Sequence, residues 1–259
     1  MRGEELQQDN GKNKTPAAAG EGAGREPREP FTVRSAVFLV LRLALLCVGM
    51  FVMAMGVADV TVAHLGTTPI STLPLVVSVI FGITFGMGTF FVNCFFVLGQ
   101  IILLRREYKI INLLQIPLVF VFGVFIDIGM HIFSSLNPEE LWEQWAMSLS
   151  GNFLLALGVW TSIKSRTLVQ PGEGIVMAVS IVTHKAFSTL KICNDVSLVI
   201  LAALLGWFVL GRFEGIGLGT LVSAIMVGLF IKLINALYRL FKPKKAIRVL
   251  FKRDTRKNR

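Results

Sequence analysis

Long apolar segments separated by short polar connections dominate the middle of the chain. Six of them approach the ~20 residues with which a helix crosses a bilayer; they lie at about 35–58, 85–104, 111–133, 146–163, 192–210 and 217–238. Two further apolar segments, Pro69 to Gly82 and Gly172 to about Thr183, have only 12 to 14 residues; Pro69 opens the first and Pro171 immediately precedes the second. A helix of that length reaches about 20 Å, short of the ~30 Å hydrocarbon core. We therefore predict six full spans and two re-entrant or half-length helices.

The charges of the loops favour six crossings over eight. If the two short segments do not cross, the basic connection at 105–109 lies inside with the basic flank before residue 35, and the acidic connection at 139–143 lies outside. If both cross, these two connections exchange sides and break the positive-inside rule twice. Six crossings place the N- and C-termini in the cytoplasm.

This pattern divides the chain into five regions. We predict a polar, disordered cytoplasmic tail at 1–33, a first membrane repeat at 34–134, an acidic outer loop at 135–145, a second membrane repeat at 146–238 and a basic cytoplasmic tail at 239–259. The fold class is an all-α polytopic helical bundle.

The two membrane regions resemble each other at a shift of 102 residues. Gly49 then falls on Gly151, Pro69 on Pro171 and Asn93 on Asp195. Three full spans per repeat are an odd number, so the second repeat inserts upside down relative to the first. This is the inverted-repeat plan of many secondary transporters, whose solute site lies near the midplane where short, interrupted helices meet.

The starts of the two short segments carry candidate binding groups. Hydroxyls flank the first Pro, and a carboxylate follows the second; the candidates are Thr68, Pro69, Ser71, Thr72, Pro171 and Glu173. Pro suits the first turn of a helix, and the free amides of that turn attract an anion or a helix cap. Two interpretations stay equally open: these groups cap their own helices, or they cap and also contact a solute.

Polar residues within the apolar spans are further candidates. Asn93 is near the middle of its span, and its repeat partner Asp195 follows Lys191 by four residues, which puts both on one helical face. An ionisable group in the bilayer is costly and has either a structural partner or a function, so we expect either a Lys191–Asp195 ion pair or a solute site. Asp59 and Asp127 are expected to be interfacial caps or, less often, substrate contacts.

Composition excludes several other classes. The chain is 54% hydrophobic and 16% charged, unlike a soluble domain. Its net charge of +10 comes largely from ten Lys or Arg residues within 239–259, which mark the cytoplasmic side and are expected to contact anionic lipid headgroups rather than nucleic acid. Three scattered Cys and three scattered His predict no disulfide, metal site or cofactor, and no nucleophile motif indicates an enzyme.

Several motifs together resemble the YczE/YyaS/YitT-like bacterial membrane proteins. They are the segment from Leu65 to Pro74, Asn93, and the segments 113–117, 122–127, 171–174, 194–197 and 217–220. The resemblance implies a multi-pass protein of the bacterial plasma membrane and supplies no substrate.

The sequence thus favours a small-solute transporter or channel with a midplane site between the two short helices. The alternative is an accessory or scaffold membrane protein that assists a partner enzyme or exporter. The expected partners are the lipid bilayer and an unidentified small solute, and the sequence does not indicate an oligomeric state.

Overall fold

A computed structural model describes residues 33–241 of the chain and the surroundings of side chains 37–240. The predicted polar tail at 1–33, except for its last residue, and nearly all of the basic tail at 239–259 lie outside the described residues.

The described chain folds into eight α-helices. They are α1 (Val33–Val62), α2 (Pro69–Phe81), α3 (Phe85–Leu104), α4 (Gln115–Phe133), α5 (Leu141–Ser165), α6 (Pro171–Thr183), α7 (Phe187–Leu205) and α8 (Leu218–Phe241). Short 3₁₀ turns connect α3 to α4 and follow α4, and a single π-helical turn, Gly206–Leu210, extends α7.

Six of these helices are long and apolar enough to cross a membrane, and the remaining two, α2 and α6, are the shorter ones. The prediction of an all-α polytopic membrane protein with six spans and two half-length helices is confirmed. One boundary differs clearly: α5 begins at Leu141, within the predicted acidic loop. The side chains of Glu140 and Glu143 form a capping box there, which satisfies backbone N–H groups and starts the helix early.

The two halves are inverted relative to each other. The equivalent helices α1 and α5 pack along each other in opposite directions, since Gly49 lies opposite Ser162 and Asp59 bonds to Ser150. Each half then repeats the same contacts: α4 packs against α1 as α8 packs against α5, and α3 packs against α6 as α7 packs against α2.

The backbone repeats the same relation at single residues. α1 and α5 are each followed by a residue in the left-handed region, His64 (φ 57°) and Arg166 (φ 51°), which are 102 positions apart. The C-caps of α2 and α6, Gly82 (φ 62°) and His184 (φ 55°), have the same separation. Matching left-handed residues at a constant shift indicate a true duplication, because such φ values are uncommon outside glycine.

The bundle has two chemically distinct ends. We call the end with Glu139, Glu140 and Glu143 the acidic end; α1 and α4 end there and α3, α5 and α8 begin there. The opposite, basic end carries Arg105, Arg106, Lys109, Lys164 and Arg166.

One pair of contacts is not repeated. Helices α3 and α4 pack closely where Gly86 faces Gly123, whereas α7 and α8 have no comparable packing in the described region. The symmetry is therefore approximate.

Candidate functional site

The N-termini of the half-length helices meet in the interior of the bundle. The side chain of Ile70 packs directly on Gly172, where any larger residue would collide with it. From this contact α2 runs along α3 towards the acidic end, with Pro74 and Ser78 beside Gly88. Helix α6 runs towards the basic end, where Ile181 and Leu104 line the same cavity. The meeting point is therefore near mid-depth.

A cavity of about 80 Å³, which we call the central cavity, lies at this meeting point. Both halves line it. Its wall consists of Leu46, Met50, Met53 and Val57 of α1, Ile70, Ser71 and Pro74 of α2, Thr89 and Asn93 of α3, Gln115, Leu118, Val119 and Phe122 of α4, Leu155 of α5, and residues 168–172. Most of the wall is apolar and none of it is charged.

Three residues that line this cavity carry hydrogen-bond donors without a partner among the described residues. The Gln115 side chain is only 4% exposed; its oxygen accepts a bond from Gln100 Nε2 at 3.4 Å, and its amino group makes no hydrogen bond to a described residue. The backbone N–H groups of Ile70 and Gly172, in the first turns of α2 and α6, likewise have no acceptor among the described residues. A buried donor without a partner costs roughly 1–3 kcal/mol, so this cavity favours a ligand that carries an acceptor oxygen.

The predicted site residues are divided between this cavity and its surroundings. Ser71, Asn93 and Pro171 line the central cavity, whereas Thr68, Pro69, Thr72, Lys191 and Asp195 do not. Asn93 Nδ2 donates to the carbonyl oxygen of Thr89 at 2.8 Å.

The hydroxyls at the start of α2 serve the helix itself. Thr68 Oγ donates to Ser71 Oγ at 2.8 Å, and Thr72 Oγ donates to the carbonyl oxygen of Pro69 at 2.8 Å. Thr68, the N-cap residue of α2, accepts no bond from a backbone N–H of the first turn, so these bonds do not form a side-chain cap. Ser71 accepts the Thr68 bond and also reaches the cavity.

Glu173 lines a separate cavity of about 330 Å³, the Glu173 cavity, which extends to Arg166 at the basic end. Lys191 Nζ lies 2.7 Å from Asp195 Oδ1, as the spacing of four residues predicted. These two residues are the charged groups whose field acts on the Glu173 carboxylate. Glu173, Lys191 and Asp195 therefore form one electrostatic cluster, which we call the charged triad.

The repeat relates this triad to the central cavity. At the shift of 102 residues, Ser71 corresponds to Glu173, Thr89 to Lys191 and Asn93 to Asp195. The first three line the central cavity as neutral groups, and the second three occupy the same positions of the other half as charged groups. The sequence comparison had identified only the last pair.

The two ends of the bundle close the central cavity differently. At the acidic end, two backbone hydrogen bonds hold the α1–α2 connection. Thr67 N–H donates to the Gly215 carbonyl of the α7–α8 connection at 2.9 Å, and Gly219 N–H, at the start of α8, donates to the Leu65 carbonyl at 2.8 Å. Towards the basic end, residues 168–170 line both the central cavity and the Glu173 cavity. In the described chain, no backbone hydrogen bond ties this segment to the α3–α4 connection.

The two other acidic candidates lie at helix interfaces. Asp127 accepts bonds from the Thr84 hydroxyl and the Gly86 N–H, both at 2.7 Å, so it caps α3 from α4. Asp59 is 3% exposed and accepts a bond from Ser150 Oγ of α5 at 2.8 Å. Neither lines the central cavity.

Glycines that recur at four-residue spacing, Gly82 and Gly86 and again Gly211, Gly215 and Gly219, do not all permit close helix packing. Gly86 and Gly219 do so, against Gly123 and Leu65. Gly82 and Gly211 instead have open space around them and φ values of 62° and 69°, so they end helices.

Sequence reasoning missed Thr89, Gln100, Gln115 and Gln170. Gln100 Nε2 donates to the Pro171 carbonyl oxygen at 3.2 Å, which anchors the start of α6 on α3. Each is a lone polar residue within or beside an apolar segment, and that was the only available signal. Among the described residues no group of three or more His, Cys, Asp or Glu is placed to hold a metal ion.

Comparison with known proteins adds a family. No curated protein and no solved structure matches the chain. A family model described as a family of unknown function, DUF6198, matches residues 40–236, which include all eight helices in whole or in large part. The chain therefore belongs to the DUF6198 family, a family of unknown function.

Proposed function

We propose that the protein is a plasma-membrane transporter or channel for a small solute, which binds in the central cavity between the N-termini of α2 and α6. One observation carries the proposal: the first turns of two half-length helices, one from each inverted half, line one cavity, and the N–H groups of Ile70 and Gly172 there have no partner among the described residues. Inverted-repeat transporters place their solute sites at such a point, because interrupted helices leave backbone groups free there.

The wall of the cavity limits the chemistry of the solute. It holds mainly apolar side chains, with hydroxyl or amide groups of Ser71, Thr89, Asn93, Gln115 and Gln170 and no charged side chain. The unpaired groups are donors. We therefore propose an uncharged or monoanionic solute with an apolar part and an acceptor oxygen, such as a carbonyl, hydroxyl or carboxylate.

The volume limits its size. A cavity needs roughly 10–15 Å³ by this measure to hold one water molecule, so about 80 Å³ accommodates a few water molecules or a solute of several non-hydrogen atoms. A larger solute would require the two halves to move apart.

The unequal closure of the two ends supports assigning the structure to one conformational state of a transport cycle. Backbone bonds close the acidic end, while Met53 and residues 168–170 line both the central cavity and the Glu173 cavity. With the positive-inside orientation this state faces the cytoplasm, and the N- and C-termini are cytoplasmic. We propose a transport role rather than an enzymatic one, and the finer resemblance to YczE/YyaS/YitT-like proteins is compatible with it.

Flux through proteoliposomes tests the proposal. The purified chain is reconstituted and screened with small neutral and monoanionic solutes, using empty liposomes as the baseline. Ser71→Leu, which fills the cavity, is expected to reduce the flux of any transported solute at least tenfold. Ser197→Leu is the matched control, because Ser197 lies exposed on α7 and bonds only to its own helix.

Two outcomes would contradict the proposal. One is flux equal to that of empty liposomes for the whole panel; the other is equal flux through wild type and Ser71→Leu. Either result would favour the accessory or scaffold role.

A further inference from the structure

The charged triad contains one more negative than positive group. Lys191 is paired with Asp195 at 2.7 Å, and the side chains of both are little more than a quarter exposed, at 28% and 27%. Glu173 is half-buried and, among the residues described, makes neither a hydrogen bond nor an ion pair. Within the triad one carboxylate is therefore left without a paired cation; Arg166 lines the same cavity, but Glu173 forms no ion pair with it.

The position of this carboxylate makes the imbalance costly. Glu173 follows Pro171 of the central cavity by two residues, on a helix that starts in the interior of the bundle. An acidic side chain at membrane depth costs roughly 2.5–3.5 kcal/mol or more unless it is neutralised. Neutralisation requires either a bound cation or a proton.

The surrounding groups favour a proton. From α7, Glu173 is faced by Lys191 and Asp195; from the end of α5, Arg166 lines the same cavity; α1 contributes Met53 and no charge. A calcium ion requires about six to eight oxygen ligands, and the ammonium group of Lys191 repels any metal cation. A proton needs only one carboxyl oxygen.

We propose that Glu173 binds and releases a proton through the Glu173 cavity, and that this proton is the coupling ion for movement of the solute. In the binding step, a hydronium ion in that cavity transfers its proton to a carboxylate oxygen of Glu173, which forms the O–H bond and leaves a water molecule. Release is the reverse, and no other bond changes.

The repeat supplies a route for coupling, and this part rests on the proposed function. The equivalents of the triad in the first half, Ser71, Thr89 and Asn93, line the central cavity. In inverted-repeat transporters, alternating access is largely rocking or gating of one repeat against the other around the solute site. Such a movement would bring Glu173 towards the solute, and protonation removes the charge that opposes it.

Carbodiimide labelling tests the proton site without any solute. Dicyclohexylcarbodiimide reacts with a protonated carboxyl within the membrane: the carboxyl proton moves to a nitrogen of the reagent, the carboxylate oxygen adds to its central carbon, and rearrangement leaves a stable N-acylurea. The full chain in lipid nanodiscs is labelled over a pH series, and peptides are quantified by mass spectrometry. We expect modification of Glu173 that increases as the pH falls, and none at Glu143, a carboxylate of the acidic end.

Two variants change the charge balance in opposite directions. Asp195→Asn leaves Lys191 available to Glu173, so labelling at a given pH should fall at least tenfold, since an opposite charge changes proton affinity by about one to three decades. Lys191→Met leaves two carboxylates, so labelling should extend to higher pH. Size-exclusion profiles verify that each variant is folded.

Three results would overturn the proposal: no labelling of folded wild type at any pH, labelling unchanged in Asp195→Asn, or labelling suppressed by sodium but not by choline, which indicates a cation site. The two proposals also fail separately. Labelling of Glu173 without any solute flux would reject the transporter and retain the proton site. Solute flux that depends on Ser71, without labelling of Glu173, would reject the proton site and retain the transporter.

Discussion

Replacing Gly56 by alanine tests the contact on which the inverted arrangement depends. Gly56 of α1 faces α5, and a Cβ added to it would lie 2.6 Å from the Gly151 carbonyl oxygen and 2.8 Å from Leu155 Cα. Carbon and oxygen atoms approach each other to about 3.3 Å in helix–helix contacts. The difference from the Gly151 distance is roughly 0.7 Å, and the Leu155 backbone nitrogen would lie closer still, so the two helices must separate by at least this amount.

The separation has a predictable cost. A radial gap of about 0.5–1 Å removes roughly a quarter to a half of each facing dispersion contact, and overpacking costs about 1–3 kcal/mol. For a chain of this size, Gly56→Ala should lower the apparent melting temperature in detergent by roughly 2–12 °C. Gly158→Ala, at the equivalent position of α5, should cause a similar loss, because its Cβ would lie 2.6 Å from Met53 Cα.

The control is Gly228→Ala. Gly228 is helical, and a Cβ added there meets nothing within 4 Å. This variant should melt at or slightly above the wild-type temperature, since alanine favours a helix over glycine by up to about 1 kcal/mol. Tryptophan fluorescence during a thermal ramp measures all of these variants. A Gly56→Ala protein as stable as Gly228→Ala would refute the close α1–α5 contact.

Two further substitutions test individual helix ends by the same thermal ramp. Asp127→Ala removes the acceptor for Thr84 and Gly86 and should lower the free energy of unfolding by about 1.5–3 kcal/mol. Asp127→Asn, which keeps one acceptor oxygen, should lower it less. Equal stabilities of the two variants would reject the capping role. His184→Gly should stabilise the protein by about 1 kcal/mol, because His184 has a φ of 55° that glycine adopts without strain. The control Thr183→Gly, at the last residue of α6, should destabilise it. A loss of stability in His184→Gly would show that the His184 side chain contributes more than the backbone strain costs.

The membrane architecture could be predicted from the sequence because length and hydropathy determine it. Twelve to fourteen apolar residues cannot cross a bilayer, so Pro69 and Pro171 marked half-length helices without any tertiary information. The Lys191–Asp195 pair was equally accessible, since a separation of four residues on a helix brings two side chains together.

The polar groups of the central cavity could not be predicted, because they depend on how distant helices meet. Gln100 and Gln115 lie on different helices, and both approach the start of α6. The periodicity of polar residues within one helix does not predict such contacts between helices. Likewise Asp127 was predicted as an interfacial cap, but the sequence did not indicate that the helix it caps is α3.

The most direct test of the account is the side from which Ser71 can be reached. Ser71→Cys is introduced after Cys47, Cys94 and Cys193 have been replaced by Ala, and a membrane-impermeant thiol reagent is applied to vesicles of either orientation. A transport site that opens to each face in turn predicts labelling from both faces, while Trp142→Cys, at the acidic end, should react only from outside. No reaction of Ser71→Cys from either face, with Trp142→Cys reactive, would mean a permanently closed interior and would contradict a transport site between α2 and α6.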